Sequence, residues 1–315
     1  MGELVVVTGG AGFIGSHLAE RFARNGYSVR VIDNLATGDL KNLEWSNNAV
    51  EYRNIDIRDL SSLTESFRDA AIVLHHAGIS SVPRSFVDWQ HTHEVNVTGT
   101  LNVLLAASRA GVRKLINASS SSVYGNNGQE IQKESAAPVP LSPYGLSKWV
   151  SELYAAQFAK TAPIEIVSLR YFNVFGPRQS LDSGYAAVIP LFIRSFGQGI
   201  CPTIFGDGTQ TRDFTFIDNI VEANLRAATS SLPAGTTINV ATGCRLSLNE
   251  LVRLLGEIFS ARIEPIYQPE RAGDIKHSCA DITVSEKLLG NYNIVSFRDG
   301  LQKTADWFLK SAQQR

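Results

Sequence analysis

Over the first half of the chain, short apolar runs alternate with stretches of helical periodicity. Residues 4–7, 28–32, 50–55, 71–75, 114–118 and 164–169 are strand-length and rich in valine, isoleucine and leucine. Between them, residues 16–24, 59–67, 87–110 and 144–160 repeat apolar positions at helical spacing. Runs that are apolar throughout mark strands covered on both faces, so this order predicts an α/β fold with a parallel sheet. The pattern loosens after residue 176. A helix is expected over 187–196 and a loop rich in glycine and charge over 205–213; a helix and a last strand, 237–240, then return to the sheet. The expected division is a larger domain of residues 1–176 plus about 214–241, and a smaller, discontinuous α/β domain of about 177–213 and 242–315.

The first strand runs straight into Thr8-Gly9-Gly10-Ala11-Gly12-Phe13-Ile14-Gly15. Gly9 permits a tight turn, Gly12 lets the backbone approach a pyrophosphate, and Gly15 lets the following helix pack close to the sheet. The second strand ends in Asp33-Asn34, about 20 residues on, where a carboxylate can accept hydrogen bonds from ribose hydroxyls and repel a 2′-phosphate. The expectation is therefore a Rossmann-type doubly wound sheet that binds NAD in preference to NADP. Ligands of such sheets lie beyond the carboxyl ends of the strands. That rule selects Asp56-Ile57, His76-Ala77-Gly78, Ser119 to Ser122 and Tyr171-Phe172-Asn173 as the lining of one crevice.

Composition narrows the partners. Of 315 residues, 44% are hydrophobic and 19% charged, enough apolar side chain for one large or two modest domains. A net charge of −1 gives no drive toward nucleic acid or an anionic membrane, so phosphate must be recognised by individual basic residues. Cys201, Cys244 and Cys279 are widely spaced, which suggests neither a metal site nor a disulfide framework. No membrane-length run occurs and residues 1–7 read as a strand, so a cytoplasmic location is expected.

Tyr144 and Lys148 stand four residues apart and so share one face of a helix. An ammonium near a phenol favours the phenolate, which should lower the tyrosine pKa and make a base able to deprotonate a substrate alcohol.

Together, Thr8 to Gly15, Asp56-Ile57, Asn96, the serines before Val123-Tyr124-Gly125, Tyr144-x-x-x-Lys148 and Arg170-Tyr171-Phe172-Asn173 resemble the extended short-chain dehydrogenase/reductase family. Within it, the chain is similar to the nucleotide-sugar 4-epimerases, through Arg212-Asp213-Phe214 and Arg271-Ala272-Gly273-Asp274 in the second half. The resemblance implies a tightly bound NAD, regenerated in each cycle, held by Gly9, Gly12, Phe13, Ile14, Gly15, Asp33, Asn34, Asp56, Ile57, Ala77, Gly78, Asn96, Tyr144, Lys148 and Tyr171. It implies Tyr144, Lys148 and Ser120 as catalytic residues. For a UDP-sugar it implies Arg212 and Arg271 on the diphosphate, Asp274 on the uridine ribose, and Asn173 and Phe205 on a phosphate and the uracil. Ser81, Ser121, Val188 and Ser278 would face the sugar together with Ser120 and Tyr144. Related dehydratases carry an acidic pair after the active-site serine and decarboxylases a glutamate. Here Ser121 and Ser122 stand in those places, so the general acid of a dehydration is missing. Glucose/galactose-restricted relatives carry a tyrosine four residues after the equivalent of Asp274; Ser278 leaves room for an N-acetyl group. The expected activity is 4-epimerisation of UDP-N-acetylhexosamines, possible alternatives being UDP-glucose or UDP-glucuronate epimerisation, or an NAD-binding regulator without catalysis. Dimerisation through residues 87–110 and 144–160 is implied by the family alone.

Overall fold

The computed structural model describes residues 2–47, 49–180, 187–270 and 276–313. Seven strands form one parallel sheet: β1 (Leu4–Thr8), β2 (Ser28–Ile32), β3 (Glu51–Arg53), β4 (Ala70–His75), β5 (Lys114–Ser120), β6 (Glu165–Tyr171) and β7 (Thr236–Val240). Their spatial order is β7-β6-β5-β4-β1-β2-β3. The chain thus winds outward from β1 in one direction and then, from β4, in the other. The reversal between β1 and β4 opens a crevice at their carboxyl ends.

Helices α1 (Phe13–Arg24), α2 (Leu60–Ser66), α3 (Gly99–Arg109), α4 (Pro143–Thr161) and, later in the chain, Ile217–Thr229 accompany the sheet. Val5, Val7, Ile72, Leu74, Ile116 and Val167 point into one apolar layer, and Val6, Val73, Leu115 and Ile166 into the other. All ten are fully buried, and each contributes roughly 1.5–3 kcal/mol of transfer free energy. The first layer continues into helices Val188–Gly197, Leu248–Phe259 and Phe297–Gln313, so the second half packs on the sheet through a shared core.

Two expected elements differ in detail. Residues 87–110 are not one helix: Asp88 breaks off Val82–Val87 and caps the next turn by accepting the His91 N–H at 2.9 Å, and Glu94–Thr98 forms a π-turn before α3. The third strand keeps only Glu51–Arg53 of residues 50–55, because its partner β2 is paired over Arg30–Ile32 alone.

Candidate active site

The crevice is assembled by hydrogen bonds at the ends of β1 and β4. Thr100 donates its hydroxyl proton to the Asn96 carbonyl, so it can only accept from His75 Nε2, 3.0 Å away. His75 Nδ1 is then the acceptor, and the Thr8 hydroxyl donates to it at 2.8 Å. Burial holds this imidazole neutral, its pKa well below the usual value, as the assigned tautomer requires.

Gly9 adopts φ +69°, and an added Cβ there would lie 2.6 Å from the Ala77 nitrogen; at Gly15 it would lie 2.2 Å from the Gly9 carbonyl oxygen. Both glycines are demanded by contact between protein segments. Gly12 is not: an added Cβ would meet only the Gly9 oxygen, at 3.1 Å, with open space elsewhere. Gly12 is also the N-terminal cap of α1, with no side-chain cap and no acidic residue in the first turn. Free helix amides above an open glycine fit a pyrophosphate.

Asp33 is buried beside this loop, accepting the Ala11 N–H at 3.0 Å and the Leu35 N–H at 2.8 Å. Burial raises its pKa, opposed by those two bonds. Asn34 donates to Asp56 at 3.0 Å, and Arg58 forks onto the same carboxylate, holding Asp56 at about 2. Ile57 is buried against Gly99. The expected glycine loop, Asp33, Asn34, Asp56 and Ile57 therefore share one end of the sheet. Phe13 and Ile14 open α1, and Ala77 and Gly78 follow β4.

The catalytic candidates meet at the end of β5, against α4. Ser120 lies close enough to the Tyr144 phenol to favour its ionised form, and Lys148 donates from Nζ to the Ala118 carbonyl at 2.9 Å. Tyr144 is buried, and its pKa is raised by desolvation, only partly offset by Ser120. The expected depression by Lys148 does not appear: burial sets the direction, and the ammonium points to a backbone carbonyl. Burial likewise lowers Lys148, to about 8, and Glu152 opposes this.

Ser120 also accepts the Ser122 N–H, capping the short 3-10 turn Ser121–Val123, in which Ser121 is half-buried. Asn96, in the π-turn, is fully buried. It accepts the Ile79 N–H at 2.8 Å and donates to the Ile79 carbonyl and to Ser147, both at 3.0 Å. It fastens the chain after β4 to α4. Tyr171, buried at the end of β6, turns its phenol toward His76 at 2.8 Å and Asn224 at 3.0 Å.

On the second-half side, Asn173 stands at φ +35° and donates to the Asp213 carbonyl. Arg212 hydrogen-bonds the carbonyls of Thr211 and Lys276, and Phe205 ends the strand Thr203–Phe205. Ser278 donates its N–H to the Thr211 carbonyl at 3.2 Å, and Ser81 caps the helix Val82–Val87. Val188 starts the helix Val188–Gly197. Arg271 and Asp274 lie outside the described residues.

Two residues with evident roles here escaped the sequence reading. Asp213, fully buried, accepts from the Thr242 N–H and hydroxyl, the Gly243 N–H and the Ala280 N–H, tying three distant segments behind Arg212 and Ser278. Ser85, also fully buried, accepts the Tyr144 N–H at 3.1 Å. A charged residue inside the run Arg212-Asp213-Phe214 was the available signal for the first; nothing local marks the second.

The family model described as "NAD dependent epimerase/dehydratase family" matches residues 5–241. The chain belongs to this family. It is 35% identical to the UDP-glucose 4-epimerase of Mycolicibacterium smegmatis, over 98% of this chain and 99% of the relative. Among solved structures, the UDP-N-acetylglucosamine 4-epimerase of Methanobrevibacter ruminantium, in complex with UDP-N-acetylmuramic acid, superposes with a TM-score of 0.94 at 38% identity, covering 98% of this chain and 99% of that one. The UDP-glucuronic acid 4-epimerase of Bacillus cereus, bound to UDP-glucuronic acid and NAD, gives 0.89 at 33% identity with the same coverages. The fold is that of Rossmann-type epimerases and the family's cofactor is NAD, which the open Gly12 cradle and Asp33 fit. Among the described residues, no helix is long and apolar enough to cross a membrane.

Proposed function

We propose that this protein is an isomerase, a UDP-sugar 4-epimerase that interconverts UDP-N-acetylglucosamine and UDP-N-acetylgalactosamine and also admits UDP-glucose and UDP-galactose. The observation that carries the reading is the meeting of Ser120, Tyr144 and Lys148 at the end of β5, with serines and not acids at 121 and 122.

Tyr144, as the phenolate, takes the proton from the sugar 4-hydroxyl, helped by Ser120, and Lys148 supplies from the same helical face the positive charge that favours the ionised form. NAD, which Gly9, Gly12, Gly15, Asp33 and Asp56 would hold, would supply the reversible hydride acceptor for C4. The 4-keto sugar turns about its link to the diphosphate and presents its other face, and Tyr144 gives the proton back. Such a turn needs a firmly held UDP and a loosely held sugar. Arg212 and Arg271 suit the diphosphate, with forked, charge-assisted hydrogen bonds; Asn173, Phe205 and Asp274 suit the rest of the UDP. Ser81, Ser121, Val188 and Ser278 would surround the sugar.

A panel of UDP-sugars assayed without added NAD tests the reading. Interconversion of the two N-acetylated sugars is expected, and turnover of UDP-glucuronate alone would replace it with a uronate epimerase. Ser278→Tyr is expected to cut kcat/KM for the N-acetylated pair by about 10- to 200-fold while sparing UDP-glucose, as bulk against one substituent does. Equal losses on both pairs would remove Ser278 from the sugar pocket.

We also propose a homodimer. Leu146, Leu153 and Tyr154 are exposed on the outer face of α4, and Leu101 and Leu105 of α3 are half-exposed. Leu146 and Leu153, two turns apart, share a stripe suited to helix packing against a second copy. Light scattering should give twice the chain mass, falling to one chain mass in Leu153→Glu; a monomeric parent protein would exclude the assembly.

A further inference from the structure

Three consecutive residues of β5 hold three residues of α4 that stand one turn apart. The Ala118 carbonyl accepts from Lys148, the Ser119 hydroxyl donates to Glu152, and Ser120 lies against the Tyr144 phenol. Tyr144, Lys148 and Glu152 are therefore one column along the helix. Glu152 is 6% exposed and is gripped from behind: Arg170, on β6 and 4% exposed, donates Nε to Oε1 at 2.9 Å and Nη2 to Oε2 at 2.7 Å. Arg170 itself lies over the Tyr124 ring, 4.6 Å from its centroid, and Tyr124 is pinned to Asn239 at 2.6 Å. A buried ion pair is weak evidence for stability, since apolar residues of similar volume commonly do as well. Its position under the catalytic pair asks for another account.

We propose that Glu152 is a positioning residue for the reaction: fixed by Ser119 and Arg170, it is the buried counter-charge that keeps Lys148 an ammonium and locks the register of α4 on β5, setting Tyr144 over Ser120. This rests on the epimerase reading of the same site. Two consequences separate. As a charge, Glu152 raises the lysine pKa against burial, so losing the charge lowers the pH at which the ammonium is lost. As a fastener, it fixes the distance from helix to strand at all pH values.

The other groups around Lys148 leave the window clear. His75 and His76, at the end of β4, are lowered far from their usual value by burial and by Lys148 itself, His76 to about 3, and stay neutral from pH 6 to 9. Tyr144, on the same helix, is raised. Asn96, beside Gly78, and Ser119 and Ser120 of β5 carry no charge, and Arg170 is permanently charged.

The test compares Glu152→Gln, Glu152→Asp and the double variant E152Q/R170M, which removes both charges and so leaves no buried arginine alone should the single variant fail to fold. In Glu152→Gln the alkaline limb of kcat is expected to move down by about one pH unit, a tenfold loss on that limb, with KM within about twofold; in E152Q/R170M, where the opposing positive charge is also gone, it should move in the same direction by less. Glu152→Asp should keep the limb in place and lose kcat evenly across pH. The 13Cε shift of Lys148, in protein carrying labelled lysine and assigned by its disappearance in Lys148→Met, gives a readout independent of turnover: its titration midpoint should fall by the same amount. An unmoved limb together with an unmoved midpoint overturns the proposal. A parent protein inactive on every UDP-sugar overturns the epimerase reading instead, and the lysine titration still decides whether Glu152 governs the charge on Lys148.

Discussion

Tyr144→Phe is expected to reduce interconversion of UDP-N-acetylglucosamine and UDP-N-acetylgalactosamine by about 10³-fold, within the usual range for loss of a general acid–base group. The substitution removes one oxygen from a buried ring, so the site keeps its shape. What it deletes is the hydroxyl that stands by Ser120 on the helix that also carries Lys148. NAD should remain bound, because the glycine loop, Asp33 and Asp56 are untouched, and NAD released from acid-denatured protein should match the parent within error. A variant retaining more than about a tenth of the parent activity would sink the assignment of Tyr144, since losses as small as tenfold fall below those of an acid–base group. Burial raises the phenol, so its ionised form needs a positive charge nearby when the substrate is deprotonated. Activity should therefore depend on the ammonium form of Lys148, which is present below pH about 8 and lost above it.

Gly12→Ala should uncouple folding from cofactor retention. At Gly9 or Gly15 a methyl group collides with backbone, and the fold itself would suffer. At Gly12 it presses only on the Gly9 oxygen, at 3.1 Å, and projects into the space where a pyrophosphate would approach. A contact that neighbouring groups cannot relieve costs about 1–3 kcal/mol, so NAD retention should weaken by at least about tenfold with the melting temperature little changed. The measurement is the NAD content of purified protein, alongside its thermal melt. Undiminished NAD would move the pyrophosphate away from α1; loss of folding would show that Gly12, like its neighbours, serves packing.

The sheet was legible because its strands are buried on both faces and read as unbroken apolar runs, and the crevice because strand ends locate it. Burial was less legible. Tyr144-x-x-x-Lys148 reveals a shared helical face, but the sign of the tyrosine shift depends on how much of the sheet covers that face. Asp88 and the π-turn at Asn96 interrupt a helical period that the sequence alone carries from 87 to 110. Asn96 shows why: its side chain is committed to Ile79 and Ser147, partners 17 and 51 residues away. Asp213 was hidden in the same way. Its partners at 242, 243 and 280 come together only in the folded chain. Where a polar side chain is spent on distant backbone, local pattern has nothing to report.

The place of β7 also bears on how the chain is made. This strand pairs with β6, but residues 172 to 235, including the helices Val188–Gly197 and Ile217–Thr229, lie between the two in sequence. During synthesis β6 can join β5 early, yet its outer edge has no neighbour until residues 236–240 have been made. An unpaired edge of a buried, apolar strand is a template for mispairing. The nascent chain must therefore carry an unfinished sheet through more than sixty residues of translation before the outer edge of β6 is covered.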